Sequence, residues 1–283
     1  TTCVETHLNS GRFPGQAIEC ITAMLSQPVA AMESDGQIGS DQLSVSSKAE
    51  PSLDYKDILA IRMDRIADDF YPFEATVKYS GDTISVPLFT GELTNVSLSH
   101  GVQWERTFAT QANSSVMHLF SLAWIGRLLS TFQKRKEAGA LQVAVVALTS
   151  FLDYSSELDN KVSIGRIPSA DHSAATRVRV LVKFIQVMRE RQDVDDALII
   201  RVCDCLKYWS DWLSLATNYK KNHHGLMGSI ALLHSAIQFG TIPRARGYLQ
   251  VATNRIIELG KTSFDRDGLC NENSIGYHNF NLH

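Results

Sequence analysis

The chain has 283 residues, 44% of them hydrophobic, enough to bury a substantial core as one large domain or two ordinary ones. Its 27 Lys and Arg against 30 Asp and Glu leave a net charge of −3 with no basic tract, which argues against nucleic acid as the main partner. No run reaches the roughly 18 uninterrupted apolar residues of a membrane span, and five cysteines without a C-x-x-C spacing argue against both a disulfide framework and a structural zinc.

Residues 1–50 read as a poorly patterned segment that ends in the Ser/Gly/Asp-rich linker ESDGQIGSDQLSVSSKAEPS. The opening Thr-Thr-Cys reads as a trimmed or processed start, and no signal peptide is visible. Residues 51–103 form a lead-in of two parts. Ile58, Ile61, Met63 and Ile66 predict a helix over 53–70. Phe73, Ala75, Val77 and Tyr79 alternate up to a Ser-Gly-Asp turn, followed by Ile84, Val86 and Leu88, which predicts a β-hairpin.

From residue 104 to 283 the pattern is helical. Amphipathic stretches at 114–137 and 140–157, 173–192 and 194–216, and 224–240 and 244–264 predict three antiparallel helical hairpins. Each hairpin leaves an apolar face that needs a neighbour, and no fixed-period consensus recurs. This predicts an all-α fold, an incomplete α/α toroid rather than a solenoid. Cys203 and Cys205 sit two apart in one of these helices, point to different faces, and read as buried thiols. The final YHNFNLH begins like a further helix, as though the chain ends inside a larger protein.

Two stretches carry candidate chemistry. Asn222-His223-His224-Gly225 precedes the stripe Leu226, Ile230, Leu233 and Ile237. Asn222 is a favoured N-cap, and the plain reading is a capped helix with a surface histidine. The alternative is an anion site, since N–H groups at a helix start point together and two histidines with an asparagine suit a carboxylate. The second stretch, TSFDRDGLCNENSIGYHNFNLH, opens like a calcium loop. With Ser263 at the first position, however, the twelfth falls on Ser274 rather than Glu. The turn reading leaves Glu272, Tyr277, His278 and His283 gathered around one helix start, where a toroid presents the mouth of its cavity.

Adjacent histidines diverge by about 100° around a helix. A metal would therefore need His223 or His224 joined by His278 or Glu272, and no metal is expected. Of the four tryptophans, Trp104 lies outside the helical stripe and is the candidate for a stacking platform. Arg106 and Arg177 are candidates for further substrate charges.

Together the two stretches resemble the heparinase II/III-like family of polysaccharide lyases, the heparinase and oligoalginate lyase type. In that family an Asn-His pair at a toroid helix start is followed, one hairpin later, by DG…E.S..YH. The matching residues here are Asn222-His223-His224-Gly225 and Asp267-Gly268 through Glu272, Ser274, Tyr277 and His278, and QWERTF with Trp104 and Arg106 resembles the start of the toroid. The resemblance covers roughly residues 100–283. The doubled histidine leaves two registers, Asn222 with His223 or His223 with His224, and the first retains the asparagine.

The resemblance implies β-elimination at a uronic acid. Asn222 and His223 neutralise the carboxylate, Tyr277 serves as acid and base, and His224, Glu272, His278, Arg106 and Trp104 bind substrate or support the site. It implies an anionic polysaccharide or oligosaccharide as partner, no cofactor and a periplasmic or secreted location. The family's C-terminal β-sandwich is missing from this sequence. Two other readings compete. A glycoside hydrolase needs two carboxylates across a cleft, and Glu272 and Asp267 share one short loop. A non-catalytic scaffold would bind glycan or protein through its helical face.

Overall fold

The computed structural model describes residues 77–87, 93–99, 101, 102, 104, 113–159, 171–189, 191, 195–240 and 242–262. The chain divides into two compact units. Tyr55–Ile256 is one, and Thr1–Asp54 with Ile257–His283 is the other, of which only 257–262 are described. The predicted helix over 53–70 and the segment 1–50 lie outside the described residues.

The predicted hairpin is present as β1 (Lys78–Ser80) and β2 (Thr83–Pro87), joined by Gly81 and Asp82. Gly81 has φ 54°, a left-handed conformation that glycine adopts without a Cβ clash. A third strand that the sequence reading did not anticipate, β3 (Leu93–Ser97), pairs antiparallel with β2 and sets Val96 opposite Ile84. Ile84, Val86 and Val96 are fully buried on one face, the period-two pattern of a sheet that covers a core on one side.

Among the described residues there are seven α-helices: α1 (Asn113–Phe120), α2 (Ala123–Arg135), α3 (Ala138–Asp159), α4 (Asp171–Arg189), α5 (Asp196–Ser214), α6 (His223–Phe239) and α7 (Pro243–Thr262). The fold is therefore all-α with a small antiparallel sheet ahead of the helices.

Where one helix was expected over 114–137, the chain breaks at Ser121 and Leu122. Leu122 adopts φ 63°, an unfavourable conformation for a side chain with a Cβ, and is held there fully buried. Ser121 supports the break, its hydroxyl donating to His118 O at 2.6 Å and accepting from Ala123 N at 3.2 Å. Two buried carbonyls at the end of α1 accept side-chain donors at the break. The Trp124 indole donates to Leu119 O at 3.1 Å, and the Arg177 Nε of α4 donates to Phe120 O at 2.9 Å.

Hydrogen bonds give the helix directions. Ser173 bonds Met117 O, and Lys183 bonds Ser130, so α4 runs parallel to α1 and α2. His224 bonds Asp171, and Gln186 bonds Gln238, so α6 runs parallel to α4 along its length. These helices form one layer with α4 in its middle, which is why α4 is buried on nearly all sides from Ser173 to Met188. In the second layer, α3 packs on α2 and α5, and α5 packs behind α4. The last predicted hairpin is only partly a pair. α7 touches α6 through Tyr248 and Phe239, but its polar bonds run to α5, where Arg244 and Tyr248 meet Asp211 at 2.7 and 2.6 Å.

Within α3, Ala138–Ser156 has the length and mean hydropathy, 1.3, of a helix that crosses a membrane. A packing role accounts for this composition, since Leu141, Ala144, Leu148 and Phe151 face the core.

His234 on α6 is partly buried, with its Nδ1 atom enclosed and unbonded among the described residues. Burial first, and the charge of Arg179 on α4 second, push its pKa down to about 4. A histidine depressed in the folded state from about 6.5 gives stability that is complete above pH 6.5 and is lost as the pH falls through 4. Urea midpoints should therefore drop by the equivalent of roughly 2–3 kcal/mol between pH 7 and pH 4, and that drop should be absent in His234→Gln.

Candidate functional site

The parallel packing of α4 and α6 brings two helix N-termini to the same end of the layer. Both present the positive end of a helix dipole, and side-chain caps take the first backbone N–H groups. At α6, Asn222 is the N-cap in extended conformation, and its Oδ1 accepts from His224 N at 3.0 Å and Gly225 N at 3.4 Å. The cap uses only Oδ1, so Asn222 Nδ2 remains a donor.

At α4 the first residue is Asp171, only 6% exposed. Its Oδ1 accepts from the backbone N–H of His172 at 2.9 Å and lies 2.8 Å from His224 Nδ1, while Oδ2 lies 3.0 Å from Lys220 Nζ. His172 Nδ1 stands farther off, 3.5 Å from Oδ1. The three imidazoles are grouped edge to face, with His224 4.2 Å from His223 and 5.0 Å from His172 between ring centres. Burial by itself pushes the Asp171 carboxyl up. The imidazoles of His172 and His224 and the Lys220 ammonium together outweigh it and hold the carboxyl well below the usual carboxylate range. Asp171 is thus a buried permanent anion with cationic or donor groups on every side.

A short strap fixes Lys220. The backbone of Tyr219 and Lys220 crosses the first turn of α6 at Gly225, where a Cβ would lie 1.9 Å from Lys220 O and 2.7 Å from the Tyr219 ring. Only glycine permits that approach. The strap is anchored from α7 by Arg255, whose guanidinium sits 4.5 Å over the Tyr219 ring and donates to the carbonyls of Leu213, Ser214 and Leu215 at 2.7–3.0 Å. These are the unpaired carbonyls at the end of α5, for which a cation is the favoured partner. Gly225→Ala should cost about 2 kcal/mol of stability by overpacking and should displace Lys220 from Asp171, measured as a lowered urea midpoint.

Asn222, His223 and His224 meet at this site as the sequence expected, but with different roles. The asparagine oxygen is committed to the cap, and His224, one position later than the preferred register, is the histidine bound to a carboxylate. Asp171, His172 and Lys220 escaped the sequence reading. The one available signal was Asp-His at the start of a predicted helix, a pattern that ordinary dipole stabilisation also produces.

Two expected ligand groups are structural instead. Trp104, the expected stacking platform, is 2% exposed, packed against Phe120, Phe151 and Tyr154, and donates its indole N–H to Ser150, so its ring has no face open to a sugar. Arg177 is fully buried over the Trp209 ring at 3.9 Å and cannot meet a substrate charge. Arg106, Glu272, Tyr277, His278 and His283 lie outside the described residues.

Asp171, His172 and His224 place one ligand atom each within 4.8 Å of one another, and two imidazoles with a carboxylate form a donor set that zinc accepts. This set differs from the one weighed in the sequence, which drew on His278 or Glu272. A cation at this place would have to displace the Lys220 ammonium from Asp171 and take the His224 nitrogen that already faces it. Lys220, the histidine N–H groups and the two helix N-termini offer donors to an anion beside Asp171. The chain matches no protein-family model, no curated protein and no solved structure.

Proposed function

We propose that the protein is a polysaccharide lyase that cleaves a uronic-acid-containing glycan by β-elimination, on a helical layer of the α/α-toroid kind. The observation that carries this reading is the convergence of two helix N-termini, Asn222 and three histidines around a buried Asp171, a ready-made site for a carboxylate. The motif resemblance supplies the reaction.

In β-elimination the proton on C5 is removed and the C4–O bond breaks. A C4=C5 double bond forms, and the departing oxygen takes a proton. The obstacle is charge, because the intermediate places a second negative charge beside the uronate. Donors aimed at the carboxylate oxygens lower that barrier. Asn222 Nδ2 and His223 supply them at the start of α6. Tyr277, assigned on its motif, protonates the departing glycosidic oxygen, and a base in the same site takes the C5 proton.

Asn222→Asp separates the two tasks of this residue. Aspartate caps a helix as well as asparagine does, so stability should hold. The new charge repels a uronate and removes the donor, so kcat/KM should fall by about 10²-fold. The test is ultraviolet absorbance of a panel of uronate polysaccharides incubated with wild type, Asn222→Asp and Tyr277→Phe. Rising absorbance from an unsaturated uronate in wild type alone supports the reading. Polymer binding with no absorbance from any polymer would point to the glycan-binding scaffold instead.

A further inference from the structure

We infer that Asp171 is a positioning residue that locks His224 in a single tautomer, with the proton on Nδ1 and the Nε2 lone pair offered outward. The inference goes beyond the lyase reading, since it concerns the state of the imidazole before any substrate binds.

Three observations carry it. The 2.8 Å contact between His224 Nδ1 and Asp171 Oδ1 requires a hydrogen between the two atoms, and an ionised carboxylate has none to give. The proton is therefore on Nδ1. Asp171 itself is 94% buried, with the His172 backbone N–H on Oδ1 and the Lys220 ammonium in an ion pair 3.0 Å from Oδ2, so few other partners are open to it. Lastly, the His224 ring makes no other hydrogen bond among the described residues, and its side chain is 28% exposed, which leaves Nε2 uncommitted.

A neutral imidazole held this way is an acceptor. It takes a proton from an acidic O–H or C–H group on Nε2, the electron pair of the broken bond stays with the substrate, and Asp171 stabilises the imidazolium that results. Neither neighbour shares this posture. The His172 Nδ1 is buried and 3.5 Å from the carboxylate, and His223 meets the His224 ring edge to face at 4.2 Å. Lys220 keeps the Asp171 carboxylate compensated while His224 is neutral, so the anion is tolerated in a nearly buried position.

The inference is tested on the intact chain by long-range 1H–15N NMR of histidine side chains, with His224 assigned from the spectrum of His224→Gln. At a pH where the ring is neutral, the unprotonated nitrogen of His224 should be the one that correlates with both ring protons, which identifies Nε2. In Asp171→Ala the Nε2–H form should become the majority. Addition of one equivalent of Zn2+ should leave the His224 signals in place. An unprotonated Nδ1 in wild type would overturn the inference, and so would joint displacement of the His172 and His224 signals by Zn2+, which would make the cluster a metal site. Should Asp171→Ala fail to fold, the wild-type spectrum alone decides. Because no substrate is present, the outcome is independent of the ultraviolet assay.

Discussion

His224→Gln should lower turnover on the preferred polymer by about 10²–10⁴-fold, the range typical for loss of a group that accepts a proton in the transition state. His223→Gln should cost less, because glutamine keeps an N–H donor for the uronate carboxylate. The difference follows from the two environments. His224 is tied to a buried carboxylate that fixes its proton and stabilises its charged form, whereas His223 faces the His224 ring. Both variants should fold, because the Asn222 cap, which accepts backbone N–H groups only, does not involve either ring. Initial rates over a range of substrate concentrations separate kcat from KM. Equal losses in the two variants would remove the distinction.

Arg177→Ala should destabilise the protein by about 3–5 kcal/mol, with Arg177→Met much closer to wild type. Alanine removes the cation from the Trp209 and Phe151 rings, leaves Phe120 O without its donor in a buried position, and opens a cavity in the middle of the layer. Methionine loses the same polar contacts but fills most of the volume. It also removes a desolvated charge whose burden is plain from the guanidinium itself, brought down by burial to about 9. Replacing a buried charge by an apolar side chain of similar volume is often neutral. Urea unfolding of the two variants at pH 7 gives the comparison. Equal destabilisation would mean that the charge, rather than the packing, holds the break at Leu122.

The helices from α4 to α7 were legible because their apolar residues recur at helical spacing over long runs and because turn residues separate them. The structure places their starts within two residues of the predicted ones. The break in the first long helix was not legible, because Ser121 and Leu122 are ordinary helix residues by composition and the left-handed turn is imposed by packing. β3 was missed because LTNVS alternates only weakly and has a single fully buried side chain.

At the site, Asn222 and the histidines were visible because they are contiguous. Asp171 was invisible because it lies 53 positions away from His224 and is joined to it only by the parallel packing of α4 and α6. The same limit misassigned Arg177 and Trp104. Both are polar-tipped residues that read as ligand groups until the buried partners, Phe120 O and the Ser150 hydroxyl, are seen.

The most direct test of the central claim is to digest a uronate polymer with this protein in 18O-labelled water and to weigh the fragments by mass spectrometry. β-Elimination predicts that one new end carries an unsaturated uronate, lighter by one water than its hydrolysed counterpart, and that no 18O enters either end. Saturated fragments carrying 18O would contradict the account and make the protein a hydrolase, and a polymer left at full length would contradict it as well.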